Sequence, residues 1–252
     1  MQWFNIILLL LAGFAGGVAN ALAGGATIIT FPAMIAAGLP PLIANASNAV
    51  AVTPGQLIAA IADKASLPFL SRQLCIQVLI ATIGGVAGAF LLLFTPSHVF
   101  VLFVPALIGL ATLLYAFSAQ VKASIHHSFE RKDLSVANIA LMFFTTVYGG
   151  YFGAGQGIML LAVLSLQDNN NPRQINALKN LLSSFVSAAT LVIFVWRGLV
   201  QWPETLVMLS GAVCGGYMGA RLLNVISAAV IRVIVITVGC FVSVIYAWRY
   251  WV

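Results

Sequence analysis

The chain has 252 residues, of which 62% are hydrophobic and 6% are charged, and its net charge is +6. A soluble domain carries about 25% charged residues, so this composition excludes a water-soluble protein. Apolar stretches of about 20 residues recur from end to end, which excludes barrel strands of about 10 alternating residues. We therefore expect an all-α polytopic membrane protein whose basic residues mark cytoplasmic loops rather than a nucleic-acid surface.

The two halves of the sequence match without gaps at an offset of 131 positions. Alanine matches carry little weight in so apolar a chain, whereas glycine, proline and asparagine matches at one constant offset carry more. The matching pairs include Gly24 with Gly155, Pro41 with Pro172, and Asn45 with Asn176. The sequence therefore predicts two homologous transmembrane repeats, residues 1–121 and 134–252, joined by a polar cytoplasmic linker at 122–133.

Each repeat contains four apolar segments, and three of them have the length of one membrane span, about 20 residues. The first segment of each repeat, roughly 3–37 and 134–166, is too long for one span and too short for two. Its middle carries glycines, in ALAGGATIITFP (21–32) and YFGAGQGIMLLA (151–162). Glycine weakens a helix by roughly 1 kcal/mol relative to alanine. Each first segment is therefore expected to be one broken, tilted helix or a re-entrant hairpin of two half-helices.

The distribution of the cations favours the re-entrant alternative. If all eight segments cross the membrane, seven cations lie on one side and four on the other. If the first segments re-enter, each repeat crosses three times, the second repeat is inverted, and the split is nine to two. The second pattern agrees better with the positive-inside rule and places both termini outside the cytoplasm.

Inverted repeats with interrupted helices are typical of secondary transporters, in which two unwound segments form the substrate site near the midplane. The glycines of the first segments are assigned to this role. A second group of glycines is predicted instead to allow close packing between helices. That group consists of Gly84, Gly85, Gly88, Gly215, Gly216 and Gly219.

The interrupted segments and the segments that follow them supply candidate anion ligands. Helix N-termini offer backbone N–H groups and the positive end of the helix dipole. Lys179 is the only cation in a polar cluster of the second segments. Because a charge at membrane depth is costly, its position there suggests a functional role. The alternatives are that the asparagines are N-caps and that Lys179 extends to the membrane surface. The predicted substrate-binding residues are Gly24, Gly25, Thr27, Asn45, Asn48, Gly155, Gln156, Gly157, Asn176, Lys179 and Asn180.

Asp63 is the candidate for proton coupling, because it is the only carboxylate close to a span, and a solvated interfacial pair with Lys64 is the alternative. The chain lacks the H-E-x-x-H and G-x-S-x-G motifs and any metal-ligand spacing. We therefore expect neither an enzyme nor a metal or cofactor. The expected partners are a small anionic substrate and the lipid bilayer, and a homodimer is left open.

Three stretches resemble the sulfite exporter TauE/SafE family of bacterial membrane transporters, and the resemblance covers nearly the whole chain. They are AGFAGGVANALAGGATIITFPAMIAAGLPPLIANASNAVAV, YGGYFGAGQGIMLLAVL and GGYMGARLLNVISAAVIRVIVI. The resemblance implies a secondary transporter that moves a small sulfur-containing or organic anion, such as sulfite or a sulfonate, across the bacterial inner membrane. A passive anion channel and a non-transporting membrane assembly subunit are the alternatives.

Overall fold

The computed structural model describes residues 3–23, 25–62, 66–117, 136–167, 172–222 and 228–251. Within these residues the secondary structure consists of ten helices. They are α1 Trp3–Ala23, α2 Ala26–Ala36, α3 Pro41–Ala62, α4 Arg72–Phe94, α5 Ser97–Ala116, α6 Val136–Tyr151, α7 Gln156–Gln167, α8 Pro172–Trp196, α9 Trp202–Leu222 and α10 Ala228–Trp251. Five of them (α1, α4, α5, α8 and α10) are long and apolar enough to cross a membrane. The predicted site residues Gly24 and Asp63 and the predicted linker lie outside the described residues.

The first predicted segment is a hairpin of two helices rather than one tilted helix. Asn5, near the start of α1, donates a hydrogen bond from Nδ2 to the carbonyl of Ala37, just after the end of α2, at 3.0 Å. Farther along α1, Gly16 packs against Ala26 and Thr30 of α2. The two helices are therefore antiparallel, and α2 returns towards the side on which α1 begins.

The corresponding segment of the second half is interrupted by residues 152–155, between α6 and α7. Gly153 and Gly155 have φ angles of +80° and +77°, which glycine adopts without the steric cost that a Cβ would bring. The amide of Gly153 closes the end of α6 by donating to the carbonyl of Tyr148 at 3.2 Å. The hydroxyl of Tyr148 donates to the carbonyl of Ala154 at 2.8 Å. The interruption is thus a defined turn that its own hydrogen bonds hold.

Glycines let α1 pack closely on α9, and α4 on α6. A Cβ on Gly17 would lie 2.7 Å from the amide nitrogen of Gly216, and a Cβ on Gly88 would lie 2.7 Å from that of Tyr151. Small residues permit this approach of two backbones, which larger side chains would prevent. The packing role is confirmed for Gly84, Gly85, Gly88 and Gly215.

Helices α5 and α10 run antiparallel. Trp251 donates from Nε1 to the carbonyl of Leu102 at 2.9 Å, and Ser243 donates from Oγ to that of Pro105 at 2.9 Å. The end of α10 therefore meets the start of α5. Helices α3 and α8 also pack against each other.

The main hydrophobic core combines both halves of the chain. Phe31 of α2, Phe100 of α5 and Phe194 of α8 are among its fully buried side chains. Phe31 packs edge-to-face on Phe152 with ring centroids 5.2 Å apart, which joins the first hairpin to the turn of the second. Large apolar side chains are also exposed on the outer surface, as in a protein whose surroundings are lipid.

Candidate functional site

Two small neighbouring cavities lie where the two hairpins meet α3 and α8. Their volumes are about 20 and 30 Å³, room for about one water molecule each. Both cavities are lined by Thr27, Val52, Gln56, Gly153 and Gln156. Because they share these residues, we treat the two cavities as the two ends of one central site.

The short helices α2 and α7 both begin at the first of these cavities. Ala26 and Thr27 form the start of α2, Gln156 and Gly157 form the start of α7, and all four residues line the cavity. The N-terminal end of a helix carries a partial positive charge and backbone N–H groups that favour anions. Two such ends at one cavity give it a positive potential.

Lys179 adds a full positive charge to the first cavity. Its side chain is 7% exposed, and it lines the cavity together with Asn180 and Ser183 of α8. It is the only charged side chain among those found buried in the described residues. The described residues that line the two cavities include no carboxylate. Lys179 is thus the charged side chain that the described residues contribute to the central site.

Asn45 and Asn48 line the second cavity, and their spacing of three places them on one face of α3. Their side chains are 2% and 1% exposed. Asn45 donates from Nδ2 to the carbonyl of Tyr151 at 2.9 Å, which ties α3 to the end of α6. Both Oδ1 atoms, and Nε2 of Gln156, are buried without a hydrogen-bond partner. Buried polar atoms are nearly always paired, and water or a ligand in the two cavities would supply the partners of these three.

Most of the described residues that the sequence predicts for the site lie around these cavities. Those that line one or both are Thr27, Asn45, Asn48, Gln156, Gly157, Lys179 and Asn180. Gly25 precedes α2 and packs against Tyr115. Gly155 lies near Ala111 of α5, and Asn176 is about one turn before Lys179 on α8. Gly25, Gly155 and Asn176 line neither cavity.

The sequence reasoning missed five polar residues that line the site. They are Asn20, Gln56, Ser183, Ser187 and Thr190. The repeat offset could have indicated two of them, because Gln56 and Ser187 are 131 positions apart and the Ser187 hydroxyl donates to the Gln56 side-chain carbonyl. The helical spacing of Ser183 and Thr190 from Lys179 places them on the same side of α8 as the lysine, whereas Asn20 lies on α1.

A family model described as "Sulfite exporter TauE/SafE" matches residues 9–246. The chain belongs to the sulfite exporter TauE/SafE family. The resemblance that the sequence motifs indicated is thereby confirmed. With five candidate spans among its helices, this TauE/SafE chain is a multi-pass membrane protein.

Curated relatives of this TauE/SafE chain are named as probable membrane transporters. A "Probable membrane transporter protein" of Haemophilus influenzae is 26% identical over 233 residues, which cover 92% of this chain and 90% of the relative. The protein of that description in Xylella fastidiosa is 28% identical over 254 residues, 96% of this chain and 93% of the relative. "Probable membrane transporter protein YfcA" of Escherichia coli K12 is 25% identical over 242 residues, 93% and 85% of the two chains. No solved structure matches the chain significantly.

Proposed function

We propose that this TauE/SafE protein is a secondary transporter, and not an enzyme, that moves a small sulfur-containing or organic anion across the bacterial inner membrane. One observation carries the proposal: two short helices begin at a central cavity that also holds the buried Lys179, and no described carboxylate lines it. The description of the family names sulfite. Sulfite and sulfonates are therefore the first substrates to test.

The proposal includes an inverted pair of repeats. Each helix from α1 to α5 has a counterpart about 131 positions later, from α6 to α10. If each helix is replaced by its counterpart, the α1–α9 contact becomes an α4–α6 contact. In the same way, α2–α10 becomes α5–α7 and α3–α9 becomes α4–α8. All six contacts occur in the structure. Such an exchange is expected when the halves are related by a pseudo-two-fold axis.

The directions of the helices support inversion over eight plain crossings. Four crossings in each repeat would give both repeats the same orientation, and α5 would then run parallel to α10. The hydrogen bonds from Ser243 and Trp251 to α5 require the antiparallel arrangement, which follows when each first segment is a hairpin and each repeat crosses three times. The contact between Gln56 and its counterpart Ser187 is also expected near the axis. With the nine-to-two distribution of cations, we place both termini outside and the linker in the cytoplasm.

The size of the central site favours a transporter over an open channel. The two cavities are narrow, at about 20 and 30 Å³, with room for about one water molecule each. A cavity of about 700 Å³ lies at the end of α8 beside Arg197, and another of about 90 Å³ lies near the opposite end of α8 beside Gln174. The site thus lies between two wider spaces on opposite sides. A conformational change that widens this narrow site towards each of the two spaces in turn would give alternating access.

Proteoliposomes that contain the purified full-length protein test the proposal. We expect labelled sulfite to accumulate above its outside concentration when an ion gradient is imposed, and unlabelled sulfite inside to accelerate its uptake by exchange. A passive channel would only equilibrate sulfite, and an assembly subunit would give no flux above empty liposomes. Either result, obtained with sulfite, thiosulfate and simple sulfonates, would contradict the proposal. A proton-driven gradient would also test Asp63, whose change to Asn is expected to abolish accumulation but not exchange.

A further inference from the structure

We infer that a hydrogen bond between α3 and α9 is a latch that closes the outer side of the protein. In this latch, Ser47 of α3 accepts a hydrogen bond from the backbone amide of Gln201, and Glu204 of α9 takes over the amide when α3 moves away. The inference rests on the proposed alternating access and deepens it by naming the contact that must open. The three residues position α3 and bind no substrate.

The amide of Gln201 lies just before α9, outside the hydrogen bonds of the helix. The carbonyl of Gln201 accepts from the amide of Thr205 at 3.0 Å, which is the first bond of α9. The amide nitrogen of Gln201 has no partner within the helix and must find one elsewhere. It donates to Oγ of Ser47 at 2.9 Å, and Ser47 is fully buried. The start of α9 is therefore held by α3.

Glu204 is a second acceptor for this amide. It is the third residue of α9, the position from which a glutamate in a capping box accepts from the amide of the residue before the helix. Its Oε2 is buried and has no hydrogen-bond partner. Helices α1 and α3, which pack against α9, carry no ionisable side chain that could pair with it. Because buried polar atoms are nearly always paired, Glu204 is placed to accept the amide once Ser47 leaves it.

The start of α9 lies on the same side of the membrane as the start of α1. Gly13 of α1 packs against Met208, and Gly17 packs against Ala212. The two helices therefore run in the same direction. With the N-terminus proposed to be outside, the bond between Ser47 and α9 lies at the outer end of the protein.

The latch lies between the outer cavity and the central site. Leu42 and Leu199 line the cavity of about 700 Å³, whereas Asn45 and Asn48 line the second central cavity. Ser47 lies beside the two asparagines on α3, and its partner on the other side follows Leu199 in the chain. A path from the outer cavity to the central site opens if this part of α3 moves away from α9, and that movement breaks the bond.

The opposite end of the protein is built differently. Helix α4 is the counterpart of α9, and it is capped by its own Ser71, whose Oγ accepts from the amide of Leu74 at 3.2 Å. The residue of α8 that corresponds to Ser47, 131 positions later, is Leu178, and a leucine side chain forms no hydrogen bond. The latch is therefore a feature of the outer end and not a requirement of the repeat.

Hydrogen exchange of the Gln201 amide in the purified full-length protein tests whether two acceptors serve it. Mass spectrometry with fragmentation follows this amide separately. Ser47→Ala and Glu204→Leu should each leave it protected, because one acceptor remains. The double variant should exchange about tenfold faster than either single variant, because it has lost both acceptors. If Ser47→Ala alone exchanges as fast as the double variant, or if the double variant stays protected, the inference is wrong.

A reporter cysteine tests whether the latch controls opening. Val200, next to Gln201, is 9% exposed, so Val200→Cys as the sole cysteine should react with a water-soluble thiol reagent mainly when the outer side opens. Glu204→Leu should slow this reaction about two- to tenfold, because only the open state loses its acceptor. Glu204→Gln keeps a side-chain carbonyl that accepts, and it should restore the wild-type rate. An unchanged or faster reaction in Glu204→Leu would overturn the latch, since loosened packing also gives a faster one.

Thr205→Val is the matched control. Thr205 is fully buried in the first turn of α9, and its Oγ1 donates to the carbonyl of Gln201 at 2.7 Å. The variant removes this bond but leaves both acceptors of the Gln201 amide, so the exchange and labelling rates should match the wild type. A change as large as that of Glu204→Leu would overturn the inference. Neither measurement uses a substrate, so the latch can fail while sulfite transport is observed, and the proposed function can fail while the latch is confirmed.

Discussion

Lys179→Ala tests whether the buried ammonium group is the counter-charge of the transported anion. Lys179 is 7% exposed in a cavity that no described carboxylate lines. A hydrogen bond to a charged group contributes about 1.5–3 kcal/mol, and 1.4 kcal/mol is about tenfold in affinity. We therefore expect the dissociation constant for a sulfur oxyanion to rise by about 10- to 100-fold. Because burying a charge in a membrane protein is unfavourable, the thermal stability in detergent should not fall.

Two further variants separate the charge of Lys179 from its size. Lys179→Met has a similar length without a charge and should bind as weakly as the alanine variant. Lys179→Arg keeps the charge, but its planar guanidinium differs from the compact ammonium, so an intermediate affinity is expected. The assays are isothermal titration of monodisperse protein and exchange in proteoliposomes.

The refuting result is wild-type affinity in a correctly inserted Lys179→Ala protein. It would leave the helix N-termini and the amide side chains to bind the anion alone. The topology-anchor alternative gives a different pattern, in which arginine replaces lysine fully and alanine disturbs insertion rather than affinity. Measured affinity therefore distinguishes the two roles even if both variants transport poorly.

Three other predictions concern the fold. The side chains of Gln56 and Ser187 touch, so Gln56→Cys and Ser187→Cys, in a background without native cysteines, should be joined by a short thiol-specific cross-linker. After cleavage in the predicted linker, the two halves should then run as one band on a gel. Two separate fragments would contradict this contact. Gly88→Ala should lower the thermal midpoint in detergent by the equivalent of about 1–3 kcal/mol of overpacking. Gly55→Ala, whose added Cβ would lie 3.7 Å from its nearest neighbour, should raise the midpoint slightly, because alanine favours a helix by roughly 1 kcal/mol over glycine. An equal fall in both variants would refute the packing role. Reporter fusions at Val252 should place it outside the cytoplasm, and a cytoplasmic result would restore eight plain crossings.

The helical membrane class and the positions of the breaks could be predicted from the sequence because both are local signals. Apolar length and glycine content need no knowledge of neighbouring helices. The direction of α2 could not be predicted in this way, since a tilted helix and a hairpin have the same composition. A contact between residues 32 positions apart, from Asn5 to the carbonyl of Ala37, distinguishes them. The cation counts favoured the hairpin only indirectly, because the side of the membrane assigned to each cation depends on how often the entire chain crosses.

The site shows the same division between local and long-range information. Lys179 and Asn45 could be proposed because polar groups in apolar segments are conspicuous. The repeat offset gave Asn176 the same role as Asn45, yet only Asn45 lines a cavity. Asn45 bonds to Tyr151, 106 positions away, and no local pattern in the sequence predicts that contact. Hydroxyl residues such as Ser183 gave no signal alone, because serine in a helix commonly bonds to its own backbone.

The offset of 131 also pairs Asn48 with Lys179, so the two halves differ by one charge in the site that they share. A lysine at both positions would bring two cations into one buried region, and an uncompensated buried charge costs about 3–5 kcal/mol. We therefore expect Asn48→Lys to lower the thermal midpoint strongly. Adding Lys179→Asn to the same chain restores a single cation, moves it to the counterpart position, and should recover most of the lost stability. Thermal unfolding of the two single variants and the double variant measures this coupling. If Asn48→Lys is as stable as the wild type, or if the double variant recovers nothing, positions 48 and 179 are not equivalent places in one site.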